Sequence, residues 1–107
     1  MKILLDESLP RKLRLDFLPE HEVWTVRDKG WLSKKNGELI KLMTADNFDI
    51  FITVDRNLPY QQHLERLSIT IVVLIAKDNR LETLRMLIPK IFDKISKENF
   101  QNLIEVS

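Results

Sequence analysis

Apolar residues fall along this chain in two rhythms, short continuous runs and four-residue recurrences, and the two alternate. Lys2–Leu5 is an apolar run, as expected of a strand covered on both faces. Leu9, Leu13 and Phe17 then recur at a spacing that gives a helix one apolar side. Ser8 is its expected N-cap, Pro10 suits its first turn and Pro19 stops it. Glu22–Val26 is β-branched and aromatic, a second strand, and Asp28-Lys29-Gly30 is a turn. Trp31–Asn36 reads as a polar loop, Glu38–Ala45 as a helix and Asp46-Asn47 as its end. Asp49–Val54 is a third strand, and Asn57, Leu58 and Pro59 open a helix running through Leu67. Ile69–Ile75 is the longest β-branched run. Asp78-Asn79 caps a last helix on Leu81, Leu84, Ile88, Ile91, Phe92 and Ile95, with a kink or break expected at Pro89. Asn102–Val106 reads as an edge strand.

Strands alternating with helices predict a three-layer α/β/α sandwich around a mainly parallel sheet of four to five strands. Right-handed crossovers would put helices on both faces. At 107 residues the chain is expected to form one domain, 1–107. The net charge of +1 advertises no global attraction to nucleic acid or membrane, so such binding would need a local patch. With no cysteine there is no disulfide framework, thiolate metal site or thiol nucleophile. No leader pattern precedes the first strand and no apolar run nears ~18 residues, so a cytoplasmic protein away from membranes is expected.

The chemistry gathers where apolar runs end. Two of the runs finish in an aspartate, Asp6 and Asp55. On neighbouring parallel strands these would sit side by side at the carboxyl edge, where open α/β sheets bind ligands. Two close carboxylates repel unless a cation lies between them, and Mg²⁺ or Mn²⁺, hard ions with a preference for oxygen, would suit. The competing role for each is to cap the turn into the next helix. Glu38 in the first turn of its helix is either a third ligand or an acid favoured by the helix dipole. Asn57 is either a neutral oxygen ligand or a cap. Asp78 is an outer carboxylate or a cap. Arg11, Lys34, Lys35, Arg56 and Arg80 lie near the same edge and would meet phosphates if the site binds them. Gly30 and Gly37 are the only glycines, which excludes a phosphate-cradling glycine loop. His21 and His63 have no ligand-like spacing.

Three stretches carry a resemblance. They are Lys2-Ile-Leu-Leu-Asp6-Glu7-Ser8-Leu9-Pro10, Lys35-Asn36-Gly37-Glu38-Leu39-Ile40, and Ile52-Thr53-Val54-Asp55-Arg56-Asn57-Leu58-Pro59-Tyr60-Gln61-Gln62. Together with Asn79-Arg80-Leu81 they resemble a small PIN-like family known as a domain of unknown function, DUF5615. That family is related to PIN nucleases, including toxin ribonucleases of bacterial toxin–antitoxin pairs. The resemblance implies a Mg²⁺- or Mn²⁺-dependent endoribonuclease, with Asp6, Asp55 and the helix-borne Glu38 as catalytic metal ligands and Asn57 beside them. It further implies RNA as substrate, met by Arg56, Lys35 and Arg80, an antitoxin protein as partner, and a homodimer. Many PIN proteins carry a second acid after the third-strand aspartate, where this chain has Asn57. The chain is also shorter than typical PIN toxins.

Two other readings stand beside this one. A catalytically silent PIN-like interaction module would keep the fold and bind no metal at Asp6 and Asp55. A receiver-like phosphoacceptor domain also places acids after its first and third strands, with Lys77 as a loose stand-in for its basic residue. Against it, Ala76 follows the fourth strand where a hydroxyl residue is expected, and a fifth βα unit is not evident.

Overall fold

The computed structural model describes residues 1–56, 68–96 and 102–107. Five strands form one sheet in the order β2-β1-β3-β4-β5, every neighbouring pair parallel. They are β1 (Lys2–Leu5), β2 (Glu22–Thr25), β3 (Ile50–Thr53), β4 (Thr70–Leu74) and β5 (Leu103–Val106). Around them lie a 3-10 helix (Arg11–Phe17) and the helices α1 (Asn36–Ala45), α2 (Leu81–Arg85) and α3 (Ile88–Ile95). This is the expected α/β sandwich, with five strands and an all-parallel sheet.

Alternation along the strands divides the core between the two faces. Ile3, Leu5, Ile50, Ile52, Val72 and Leu74 pack with Leu13 and Phe17 of the 3-10 helix and with Leu84, Ile88, Ile91 and Ile95. Leu4, Phe51, Ile71 and Val73 pack instead with Leu39, Ile40 and Met43 of α1 and with Phe48. Both faces are covered, so β3 and β4 are buried at every position and read as continuous apolar runs.

Local chemistry ends the helices. The α1 helix stops in a Schellman turn. Asn47 takes the left-handed conformation at φ 61°, and its N–H donates to the Thr44 carbonyl at 3.2 Å. The Phe48 N–H reaches back to Met43 O at 3.0 Å. Phe48 and Met43 then share one apolar cluster, which fixes the angle of entry into β3. The predicted break at Pro89 is a full break. In one continuous helix the proline ring would meet the carbonyl of Arg85, where α2 ends. Pro89 instead sits in the first turn of α3, where its missing N–H leaves no bond unmade.

The first helical segment differs from expectation. It is a 3-10 helix starting after Pro10, with no side-chain cap, because the Ser8 hydroxyl is engaged elsewhere. It ends at Leu18, which is held extended ahead of Pro19. The helix expected over 57–67 lies outside the described residues. So do Asn57, the Tyr60-Gln61-Gln62 segment and His63.

Candidate functional site

The carboxyl ends of β1 and β3 meet, but not in the register the sequence suggested. Leu5 pairs with Ile52, and the Asp6 N–H donates to the Ile52 carbonyl at 3.0 Å. The next β3 residue, Thr53, therefore stands beside Asp6, and Asp55 lies two residues further along. The side-by-side aspartates become a relay through a hydroxyl. Thr53 Oγ1 donates to Asp6 Oδ2 at 2.8 Å and accepts the Asp55 N–H at 3.0 Å. Thr53 is fully buried. Its role was missed because a threonine inside a β-branched run reads as a strand former.

Asp6 accepts two more hydrogen bonds. Oδ1 takes the Glu7 N–H at 2.8 Å and Oδ2 takes the Ser8 hydroxyl at 3.0 Å. Its three donors are all neutral, and no lysine or arginine pairs with it among the described residues. A carboxylate offers about four lone-pair positions, so among the described residues Oδ2 meets two donors and Oδ1 one. Asp55 is half-buried at the same edge and holds a contact of its own.

The remaining expected ligands lie apart. Glu38 stands exposed in the first turn of α1 and faces Lys34, one turn back, at 3.8 Å. Among the described residues no group of three or more His, Cys, Asp and Glu side chains gathers closely enough to hold a metal ion. Asp6, Glu38 and Asp55 therefore do not close into a triad here. Asp78 closes the turn before α2 but is not its N-cap, which is Arg80, with no side-chain cap bond. Its Oδ1 accepts the Arg80 N–H at 3.0 Å, and a hydrogen bond with the Thr83 side chain, then that N–H, hold its carboxyl below the ordinary range. Asn79 Nδ2 contacts the Ser8 carbonyl at 3.5 Å, tying this loop to the β1 turn.

The cations sort differently from expectation. Lys35 and Arg80 precede α1 and α2 as exposed N-cap residues, and Arg56 is exposed after Asp55. The cavity of about 90 Å³ that Asp6 lines is shared with Glu7, Leu9, Arg11, Thr25, Arg27 and Leu32. Arg27 went unnoticed because its position beside Asp6 depends on which strand pairs with β1. That pairing sets Thr25 against Leu5 and brings the Val26 N–H to the Leu5 carbonyl at 3.1 Å.

Asp28 anchors this corner. Its Oδ2 accepts the Thr25 N–H at 3.0 Å, and its own N–H donates to Thr25 Oγ1 at 3.0 Å. Arg11 and Arg14 approach it, each at 3.6 Å. The Thr25 N–H is the main cause holding the Asp28 carboxyl below its ordinary value, with the Thr25 hydroxyl and the two guanidinium groups adding to it against partial burial.

A relay of oxygen atoms with one uncompensated carboxylate can hold a hard cation, and basic groups next to it can meet an anion. Compared with known proteins, the chain matches no family model, no curated protein and no solved structure.

Proposed function

We propose that this protein is a PIN-like, Mg²⁺- or Mn²⁺-dependent endoribonuclease, acting as the toxin of a toxin–antitoxin pair in the cytoplasm. One observation carries the reading: the Asp6 carboxylate, held among the described residues only by neutral donors, sits at the carboxyl end of a parallel sheet beside the Thr53–Asp55 relay. The donor set fits a hard divalent ion, since all of it is oxygen and, among the described residues, Asp6 Oδ1 meets one donor. Asp6 and Asp55 would hold the ion. Thr53 is a positioning residue, because its hydroxyl fixes the direction of the Asp6 carboxylate. When bound, the ion supplies Lewis acidity toward a phosphoryl oxygen. The sequence resemblance supports RNA as the substrate and an antitoxin as the partner. Among the described residues no helix is long and apolar enough to cross a membrane, which agrees with a partner in aqueous solution.

The silent interaction module is favoured by a different observation. The three bonds to Asp6 complete a turn without any ligand, and Glu38 stays with Lys34. Calorimetric Mn²⁺ titration of the wild type beside Asp55→Asn separates the two. Binding that disappears in the variant supports the nuclease. A wild type that binds no Mn²⁺ favours the silent module.

A further inference from the structure

The cavity beside Asp6 has a basic wall. Arg11 and Arg27 line it together with Thr25, Leu9, Leu32 and the acids Asp6 and Glu7. At about 90 Å³ it has room for several waters. The two arginines differ in what already holds them. Arg11 leans on Asp28 at 3.6 Å. Arg27 is exposed, and among the described residues no carboxylate pairs with it. A planar guanidinium without a carboxylate partner is the side chain best suited to a phosphate, through parallel N–H donors.

The strand register places this group usefully. Val26 stands next to Asp6 across the β1–β2 pair, and Arg27 is the following residue. The turn that carries it is fixed by the Thr25–Asp28 bonds and by the Gly30 N–H to the Arg27 carbonyl at 3.0 Å. Gly30 is in the left-handed region at φ 72°, which a glycine adopts without strain.

We infer that Arg27, with Arg11 beside it, seats a backbone phosphate of single-stranded RNA adjacent to Asp6. The inference rests on the ribonuclease reading and deepens it, since it names the side from which the strand reaches the site. Arg27 takes the place that Arg56, Lys35 and Arg80 were expected to fill. Asp6 and Glu7 repel a phosphate there, so without metal the attraction that seats it comes from the arginines.

The test is fluorescence anisotropy of a short labelled single-stranded RNA in EDTA across a salt series. It compares the wild type with Arg27→Ala, Arg27→Lys and the exposed α1 control Lys41→Ala. The expected result is binding that Arg27→Ala weakens about threefold to tenfold, with the salt slope reduced by about 0.7, one phosphate contact to a single strand. Arg27→Lys keeps the slope, and Lys41→Ala matches the wild type. Equal affinity and slope in Arg27→Ala overturns the inference, as does a wild type that binds no RNA in EDTA. Mn²⁺ titration of the same proteins is read separately. A wild type that binds Mn²⁺ but no RNA in EDTA fails the phosphate seat alone. Absent metal binding with an intact Arg27 effect fails the metal site alone.

Discussion

Two aspartates that each end a secondary-structure element, Asp6 after β1 and Asp46 after α1, are held by opposite chemistry. Asp46 is surrounded by cations. Lys29 Nζ lies 2.6 Å from its Oδ2 and Lys2 Nζ 3.3 Å from its Oδ1, and those two lysines keep its carboxyl below the ordinary range. Lys29 is in turn 4.9, 5.4 and 5.9 Å from the ring centres of Trp24, Trp31 and Phe48. That acid is consumed by the fold: its charge is answered by lysines from β1 and from the turn after β2. Among the described residues Asp6 is answered by N–H and O–H groups alone. Neutral donors fix the direction of a carboxylate and leave its charge over. The difference separates an acid whose charge the fold answers with lysines from one whose charge no cation among the described residues answers.

The largest expected effect breaks the comparison at its functional end. Asp6→Asn and Asp55→Asn each abolish Mn²⁺ binding, read by calorimetry, while Asp46→Asn leaves it at the wild-type value. Loss of Mn²⁺ binding in Asp46→Asn as well would remove the distinction. The melting temperature of Asp6→Asn stays near the wild type, since asparagine keeps an oxygen for the Glu7 N–H and an amide for the hydroxyls. Next in size is Thr53→Val. It leaves the Asp55 N–H without its acceptor in a buried setting, at a cost of about 1–3 kcal/mol in urea unfolding. Loosening Asp6 also lowers Mn²⁺ affinity about tenfold, as expected for a residue that orients a ligand. Thr53→Ser restores both.

How far all this was legible in the sequence follows from what is local and what is not. The strands were legible because burial on both faces makes β3 and β4 apolar at consecutive positions. The end of α1 at Asp46-Asn47 and the break at Pro89 were legible because a left-handed asparagine and a missing N–H act on their own neighbours. Asp6 and Asp55 stood out as polar punctuation on apolar runs. Register is a property of two strands at once, so nothing near Asp55 announces that Thr53 is the neighbour of Asp6. The same reason hid Arg27, whose place depends on β2 lying beyond β1 in the sheet. Ser8 looked like the helix N-cap, but its hydroxyl donates to Asp6, and the helix starts after Pro10 as a 3-10 turn with no side-chain cap.

A smaller effect tests the structural end of the comparison. The Asp46 carboxyl is held below its ordinary 3.8, so the folded state favours the ionised form. The stability it contributes is fully present above 3.8 and is lost as pH falls through the lower folded value. Thermal melts from neutral pH down past that range should show Asp46→Asn starting a few degrees lower and then losing less to acid than the wild type. Asp28→Asn should flatten the same limb, because the Thr25 N–H and the two arginines favour the charged form of Asp28 in the same sense. Parallel acid limbs in the variants and the wild type would show that these acids do not couple to folding.

The smallest effect belongs to Glu38, which lies between the two kinds of acid. Its charge meets Lys34 at 3.8 Å on an exposed helix turn, a pair worth about 0.3–0.5 kcal/mol. The α1 dipole favours an acid there whatever its partner. Glu38→Gln should therefore shift urea unfolding by no more than that amount and change Mn²⁺ affinity by less than about twofold, while Asp6→Asn removes binding. The ratio of those two affinities decides where Glu38 belongs. A small change leaves it with Asp46, as an acid that the fold itself employs. A loss comparable to Asp6→Asn would mean that α1 brings Glu38 to the ion as a third carboxylate beside Asp6 and Asp55.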